Sequence, residues 1–404
     1  MQLFRKATMW DRKPLKNRYR IVIIGGGVHG LSIAYYLGKR GISDVAVLDR
    51  SYLGGGGSAR STAIIRANYV TKDGIPFFHQ SLKLYQNLSQ ELNYNLLFSQ
   101  FGRVELGHTE SALYALRIRS EANRTMGVNS REIGAETVKQ MIPSIDMRVG
   151  KTFPILGGLY HPPGGVIRHD AVVWAYGRGA ANFGAELHPY TEVTGIRVDR
   201  GRVSGVETTK GNIDCDIVVN STAGWCSTIA QMVDINLPIV TYPLQACVTE
   251  PLKPFLHKTV SSANLHVYVY QTDRGEVVIG GAVDPYPTYS QASTLPMLET
   301  LAAHTLELFP CLANVNILRQ WGGLCDMTPD YAPIMGEHPD LGGFILNCGW
   351  GTWGFKAAPA AGINMAELIA SERVPDIIRP FAVTRFRDGK LVNERGGAPA
   401  AAVQ

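Results

Sequence analysis

Two hydrophobic periods alternate at the start of the chain. Ile21-Val22-Ile23-Ile24 is a continuous β-branched run, the pattern of a strand buried on both faces of a parallel sheet. Leu31 to Arg40 follows with apolar side chains at helical spacing, and Gly41 is placed to end the helix. Val45-Ala46-Val47-Leu48 is a second buried run. Strand, helix and strand in this order predict a βαβ unit. Further on, Glu192 to Val198 and Val203 to Thr208 read as strands around the turn Asp199-Arg200-Gly201-Arg202. Gly211-Asn212 turns the chain again before Ile217-Val218-Val219-Asn220, which makes a β-meander returning to the first sheet. His266 to Tyr270 and Val277 to Gly280 predict sheet strands, and Leu298 to Phe309 a helix. Phe344 to Asn347 predicts a strand and Ala357 to Ala370 a closing helix.

Turn chemistry adds a ligand to this pattern. Gly25-Gly26-Gly27-Val28-His29-Gly30 joins the first strand to its helix and fits G-x-G-x-x-G. Gly25 permits the tight turn, Gly27 a close approach of pyrophosphate to backbone, and Gly30 close helix–strand packing. The helix N-terminus favours the negative charge. Asp49 ends the second strand, nineteen residues beyond Gly30, where a carboxylate can accept hydrogen bonds from ribose hydroxyls. Gly54 to Thr62, with Gly57, Ser58, Arg60 and Ser61, is a second glycine-rich loop along which an extended ligand can run. Arg66 follows Ala63-Ile64-Ile65, a cation against apolar surface whose partner is a structural carboxylate or a ligand. Cys348-Gly349-Trp350-Gly351-Thr352-Trp353-Gly354-Phe355-Lys356 is a third glycine-rich turn, offering helix N-terminal amides.

Composition narrows the classes. The chain has 404 residues, 45% hydrophobic and 18% charged, an ordinary globular mixture with core for two or three domains. The net charge of +5 is concentrated in residues 1–20, a basic arm that reads as a solvated tail or as a strap docking on a partner subunit. No nucleic-acid reading module accompanies it. No apolar run is long enough for a membrane span or a secretory signal. The six cysteines are scattered without metal-ligand or redox spacing, so no metal site is expected. They read as buried thiols in a reducing compartment, which points to the cytoplasm.

Four segments together resemble the D-amino-acid oxidase superfamily of glycine-oxidase-like FAD enzymes, and within it the β subunits of heterotetrameric sarcosine oxidases. They are GGGVHGLSIAYYL with VLDR, ARSTAIIRANY, GGVIRHDAVVWAY, and WGGLCDMTPDYAPI with NCGWGTWGFK. The resemblance covers Tyr19 to Arg385. It implies an α/β fold, α+β overall. A Rossmann-like FAD-binding domain would be assembled from the discontinuous segments 21–90, 155–235 and 320–385. An antiparallel-sheet substrate domain would come from 91–154 and 236–319, with the arm 1–20 and a tail 386–404 outside both. Gly25, Gly27, Gly30, Asp49, Gly57, Ser58, Arg60, Ser61, Val193, Gly349, Gly351, Thr352, Gly354 and Lys356 are implied to hold FAD. Arg66 and Lys356 are implied to clamp the carboxylate of a secondary amino acid. His169, in GGVIRHD, is implied to carry covalent FMN at the border with a larger α-type subunit of a complex completed by small subunits. Tetrahydrofolate, reached through a partner, is a candidate acceptor of the product carbon. Locally, Asp170 is expected to cap a helix starting at Ala171, with His169 just outside it.

The sequence also departs from the family pattern. The cysteine that ties FAD to monomeric relatives falls on Gly323, with Cys325 two residues later, which implies noncovalent FAD. Their oxygen-activating lysine falls on Val278, which implies that FAD passes its electrons on. Trp353 stands where related β subunits carry glycine, so the substrate space is reshaped. N-Methylglutamate, proline and opines remain alternative substrates. A single-flavin enzyme with a structural His169, and a non-catalytic FAD-binding assembly subunit, remain rival readings. His29, in the fingerprint loop, is expected to be structural.

Overall fold

The computed structural model describes residues 13–397; the ends of the basic arm and of the C-terminal tail lie outside them. Ile21–Ile24 is a fully buried strand, paired in parallel with Val45–Leu48 on one side and Ile217–Asn220 on the other. Glu186–His188 and Phe344–Cys348 extend this sheet in parallel, and Ile334–Glu337 closes one edge antiparallel. A parallel sheet must be covered on both faces. Ile21, Ile23, Val45 and Val47 face a layer built from the helices Val28–Lys39, His169–Asn182 and Gly354–Ser371. Val22, Ile24, Ala46 and Leu48 face the other way, into a core shared with the meander residues Val203, Val206 and Ile213. The continuous apolar runs follow from this arrangement, because neither face of the strand meets water.

The meander strands Val193–Asp199, Arg202–Thr208 and Gly211–Asp214 form their own antiparallel sheet. A third sheet of eight strands holds Val240–Pro251, Thr259–Ser262, Val267–Gln271 and Glu276–Val283 with Arg103–Gly107 and Arg131–Gly134. Its apolar face packs on the helix Leu295–Leu308. Two further strands of this sheet cross the boundaries expected from sequence. Gly157–His161 pairs with Arg103–Gly107 and Arg131–Gly134, and Ile317–Met327 pairs along Val240–Pro251. Both fall wholly or largely in segments expected to build the FAD-binding domain. Backbone pairing with a neighbour distant in sequence decides where such strands lie, and no local pattern reports it.

Two smaller expectations also change. The loop after the second strand contains a short helix, Gly57–Arg60. The helix expected from Ala171 begins at His169, with Arg168 as its cap residue. Asp170 lies inside the first turn, where its carboxylate accepts the Ala171 N–H at 2.8 Å and pairs with Arg168 at 2.7 Å. Five of the six free cysteines are buried, whereas Cys311 is exposed in the turn Pro310–Leu312.

The C-terminal segment is pinned by one buried ion pair. Arg385 Nε and Nη2 donate to the two carboxylate oxygens of Asp330 at 2.8 and 2.9 Å, and the Val392 N–H adds a third bond at 3.0 Å. Burial alone would raise the Asp330 carboxyl, but Arg385 outweighs it and holds it below the ordinary value. A carboxyl so depressed contributes stability above the unfolded pKa of about 4, and that stability is lost as pH falls. Asp330→Asn leaves Arg385 buried without its charge partner and is expected to cost about 3–5 kcal/mol. Urea unfolding at neutral pH checks this; a change below about 1 kcal/mol, the size of an exposed pair, would contradict it.

Candidate active site

The carboxyl ends of the parallel strands meet the large sheet around a cavity of about 740 Å³. Ile24 and Leu48 line it from the strand ends, and Leu244, Ser261 and Tyr268 line it from the large sheet. Ligands of open α/β sheets bind at this edge. The first turn is shaped by close approach. Gly25 has φ +106°, and a Cβ there would sit 2.5 Å from the Ser221 carbonyl oxygen. A Cβ on Gly30 would sit 2.0 Å from the Gly25 carbonyl oxygen, so only glycine lets the helix start this close to the strand.

Side chains then lock the loops together. Ser58 Oγ accepts the Val28 N–H at 2.9 Å, tying the second glycine-rich loop to the helix start. Asp49 accepts the Gly26 and Ser51 N–H groups, each at 2.8 Å, one on each oxygen. Burial raises the Asp49 carboxyl, and these two amides counter that. Asp49 therefore braces the fingerprint turn besides lining the cavity. His29 ties the fingerprint helix to the third turn: its Nε2–H donates to the Gly354 carbonyl at 2.7 Å and its ring lies 4.5 Å from Trp350. Burial lowers its pKa to about 4, so the ring is neutral. In that third turn Asp326 Oδ2 accepts the Gly349 N–H at 2.6 Å, and the Asp326 carbonyl accepts the Gly351 N–H at 3.1 Å. Burial pushes the Asp326 carboxyl up to about 6.

Two long helices thus begin on one cavity, at Val28 and Gly354, and neither is capped by the side chain of the residue before it, Gly27 or Trp353, although Ser58 takes the Val28 amide. Unpaired N-terminal amides and the positive end of the dipole suit a pyrophosphate. The indole N–H groups of Trp350 and Trp353, both lining the cavity, are buried without a hydrogen-bond partner. A polyoxygen ligand would satisfy them. The cradle, the paired helix ends and these orphaned donors fit a flavin dinucleotide.

Of the residues singled out from sequence, Gly25, Gly27, Asp49, Gly57, Ser58, Arg60, Ser61, Arg66, Val193, Gly351, Thr352, Gly354 and Lys356 line this cavity. Gly30 and Gly349 stand behind the lining, where they shape the turns. His169 lies away from it. It is the first residue of the helix His169–Asn182 and is part-buried. Burial lowers its pKa and outweighs the opposing effect of Asp170, with lesser help from Arg168 and Arg319. The imidazole is therefore kept neutral.

Arg66 and Lys356 come together although 290 positions separate them. Arg66 is buried, stacks 4.3 Å from the Tyr69 ring centre and donates to the Asn68 carbonyl at 3.0 Å. Lys356 Nζ donates to the Thr352 carbonyl at 3.2 Å. Burial, then Arg66 and Arg103, hold its pKa well below the ordinary lysine value. His161 fixes the backbone beside Arg66: Nδ1–H donates to the Asn129 carbonyl at 2.7 Å and Nε2 accepts the Ala67 N–H at 3.1 Å.

Sequence reading missed Arg103. It lines the cavity, donates to Glu105 at 2.8 Å and to Ser261 Oγ at 2.7 Å, and is buried. Arg119 also donates to Glu105, at 3.1 Å. Burial would raise the Glu105 carboxyl, but Arg119, Arg103 and Arg66 hold it down to about 2. The signal was present in Arg103-Val104-Glu105, two opposite charges on one face of an otherwise apolar strand.

Residues 20–368 match the family of FAD dependent oxidoreductases. The chain belongs to that family. It is 40% identical over 393 residues to the sarcosine oxidase subunit beta of Rhodobacter capsulatus, covering 97% of this chain and 94% of that protein. It is 41% identical over 391 residues to the protein of the same name from Rhizobium meliloti, covering 96% and 94%. Among solved structures, L-proline dehydrogenase from P. horikoshii superposes with a TM-score of 0.88 at 29% identity, covering 93% of this chain and 100% of that one. The glycine cradle and paired helix ends suit the dinucleotide on which this family depends. Among the described residues, no helix is long and apolar enough to cross a membrane.

Proposed function

We propose that this chain oxidises the C–N bond of a secondary amino acid at FAD, as the β-type subunit of a heteromeric, sarcosine-oxidase-like complex. The observation that carries the reading is the pair Arg66 and Lys356 on the flavin cavity. Bound FAD supplies a two-electron acceptor for the hydride equivalent that leaves the carbon next to nitrogen. The side chains of this chain supply the rest. Arg66 and Lys356 fix the substrate carboxylate and so aim the amine along the cavity. The same buried cations favour the neutral amine over the ammonium, and only the neutral amine can give up hydride. Trp350, Trp353 and Phe355 wall the site with apolar surface and exclude water. The imine product then meets water, or tetrahydrofolate supplied through a partner. The FAD is held without a covalent bond. Cys325 lines the cavity, but burial pushes its thiol up to about 12, far from the thiolate such attachment needs.

A second flavin, FMN on His169, completes the reading. The neutral, part-buried imidazole outside the FAD cavity is a nucleophile placed where another subunit can cover it. The words subunit beta in the names of relatives at 40% and 41% identity support a multisubunit complex, in which this reading places a larger α-type subunit and small subunits; the unpaired cysteines support a cytoplasmic setting. His169→Ala is expected to retain FAD and lose every acid-stable flavin. Mass spectrometry of the digested, acid-precipitated complex reads this on the peptide containing His169. An unmodified peptide from an active wild-type complex would leave the single-flavin reading. The oxidation itself is tested by turnover of N-alkyl amino acids with an artificial electron acceptor. Release of the primary amine is expected; an FAD-loaded complex that releases none would support the assembly-subunit alternative.

A further inference from the structure

Arg66 stands at the head of a segment without regular secondary structure. Residues 66–71 follow the short strand Ile64–Ile65 and precede the helix Gly74–Glu91. Such backbone has no ladder of its own, so other partners must take its polar groups. Remote side chains do so almost residue by residue. His161 accepts the Ala67 N–H at 3.1 Å. Arg119 Nε donates to the Asn68 carbonyl at 2.8 Å, the same carbonyl that Arg66 engages. Asn123 Nδ2 donates to the Tyr69 carbonyl at 2.8 Å. The amides of Val70 and Thr71 go to Glu394, 324 residues beyond Val70. Its Oε1 accepts the Val70 N–H at 2.6 Å, and its Oε2 accepts the Thr71 N–H at 3.2 Å and the Thr71 hydroxyl.

Glu394 is 1% exposed, although it belongs to the stretch that the sequence places outside both domains. The same stretch is fastened on its other side to Asp330. The Val392 N–H donates to Asp330 Oδ2 at 3.0 Å and the Glu394 N–H to the Asp330 carbonyl at 2.9 Å. Asp330 follows Asp326, whose carboxylate holds the turn ahead of Lys356. Val392 to Glu394 therefore ties the segment behind Arg66 to the segment that leads toward Lys356. The tie runs close to the guanidinium. Tyr69, next to Val70, carries Arg66 on its ring at 4.3 Å and stacks on Phe78 at 3.5 Å. Gly74 leaves room for the carboxylate, since a Cβ there would strike Glu394 Oε2.

Resting on the reading of Arg66 as a clamp for the substrate carboxylate, we infer that Glu394 is a positioning residue for the substrate site. Its carboxylate fixes residues 70 and 71 and, through Tyr69 and Asn68, the guanidinium of Arg66. Without it, three donors lose their acceptor and the segment loses its tie to Asp330. Arg66 keeps its bond to Asn68, but the pair is no longer anchored from the C-terminal side. A fork that must be ordered when the ligand arrives binds it more weakly than one already in place.

The test uses the intact, FAD-loaded complex with Glu394→Ala, Glu394→Gln and Gly74→Ala. Turnover is measured with N-methylglycine or N-methylalanine, whichever the wild-type complex oxidises faster. Acetate serves as an unreactive carboxylate whose binding perturbs the flavin visible spectrum. Glu394→Ala is expected to raise KM and the acetate Kd about tenfold, with kcat within about threefold of wild type and FAD retained. Glu394→Gln keeps the shape and one acceptor oxygen, and should recover most of that affinity. Gly74→Ala displaces the carboxylate without altering Glu394 and should reproduce the loss; it carries the test if Glu394→Ala does not assemble. Unchanged KM and acetate affinity in the folded variant would overturn the inference, however far its unfolding temperature moves. Loss of FAD in step with acetate would overturn it as well, because general loosening explains that result. Failure of every secondary amino acid to reduce the wild-type flavin would overturn the underlying reading instead.

Discussion

Replacing Arg66 with alanine is expected to lower kcat/KM for the amino-acid substrate by about 10² to 10³-fold while FAD stays bound. The magnitude follows from losing one partner of a buried, hydrogen-bonded charge pair, about 2–5 kcal/mol. The direction follows from geometry: without the guanidinium the carboxylate is held by Lys356 alone, and the amine loses its aim at the flavin. Arg66 also bonds Asn68 and stacks on Tyr69, so flavin content and thermal unfolding are read beside the kinetics. A fall of less than tenfold with FAD in place would remove Arg66 from substrate binding. The partner residue adds a pH signature. Lys356 must be protonated to bind a carboxylate, and burial with Arg66 and Arg103 lowers its pKa. Substrate affinity should therefore weaken as pH rises through a value below the ordinary lysine range. Lys356→Met should abolish that descending limb as well as lowering affinity.

Gly30→Ala is expected to abolish FAD retention and to destabilise the chain by about 3 kcal/mol, the upper range for overpacking. The added methyl would stand 2.0 Å from the Gly25 carbonyl oxygen and 3.1 Å from Ile23 Cγ2. The first of these is backbone in the turn itself, so no side-chain rotation relieves it. The helix start must move away from the strand end, and the cradle opens with it. Loss of the bound dinucleotide then removes a further stabilising term. Flavin content after desalting and the urea midpoint measure both effects. Full retention of FAD would show that close helix–strand contact at Gly30 is dispensable.

What was legible in the sequence was local. The run Ile21–Ile24 reads as a doubly buried strand because its burial has no polar interruption. The fingerprint reads as a turn because glycine alone tolerates the approaches at Gly25 and Gly30. The cavity lining drawn from separated glycine-rich turns was legible only through family resemblance, since nothing local brings residues 57, 193 and 351 together. Arg103 escaped for a related reason. Its strand meets Thr259–Ser262 in parallel, which carries Arg103 to Ser261 across more than 150 residues. The start of the helix at His169 was misread because Asp170 looks like a cap residue, yet its carboxylate turns back to its own first turn and to Arg168.

The most direct test of amine oxidation at FAD is a single anaerobic half-reaction. The complex, co-expressed with its neighbouring subunits, is mixed without oxygen with monocarboxylic and dicarboxylic secondary amino acids, and the visible absorption of the oxidised flavin is followed. The account predicts bleaching that saturates with amine concentration and is matched by release of the primary amine. No bleaching by any secondary amino acid, in a complex whose flavin dithionite still reduces, would contradict it.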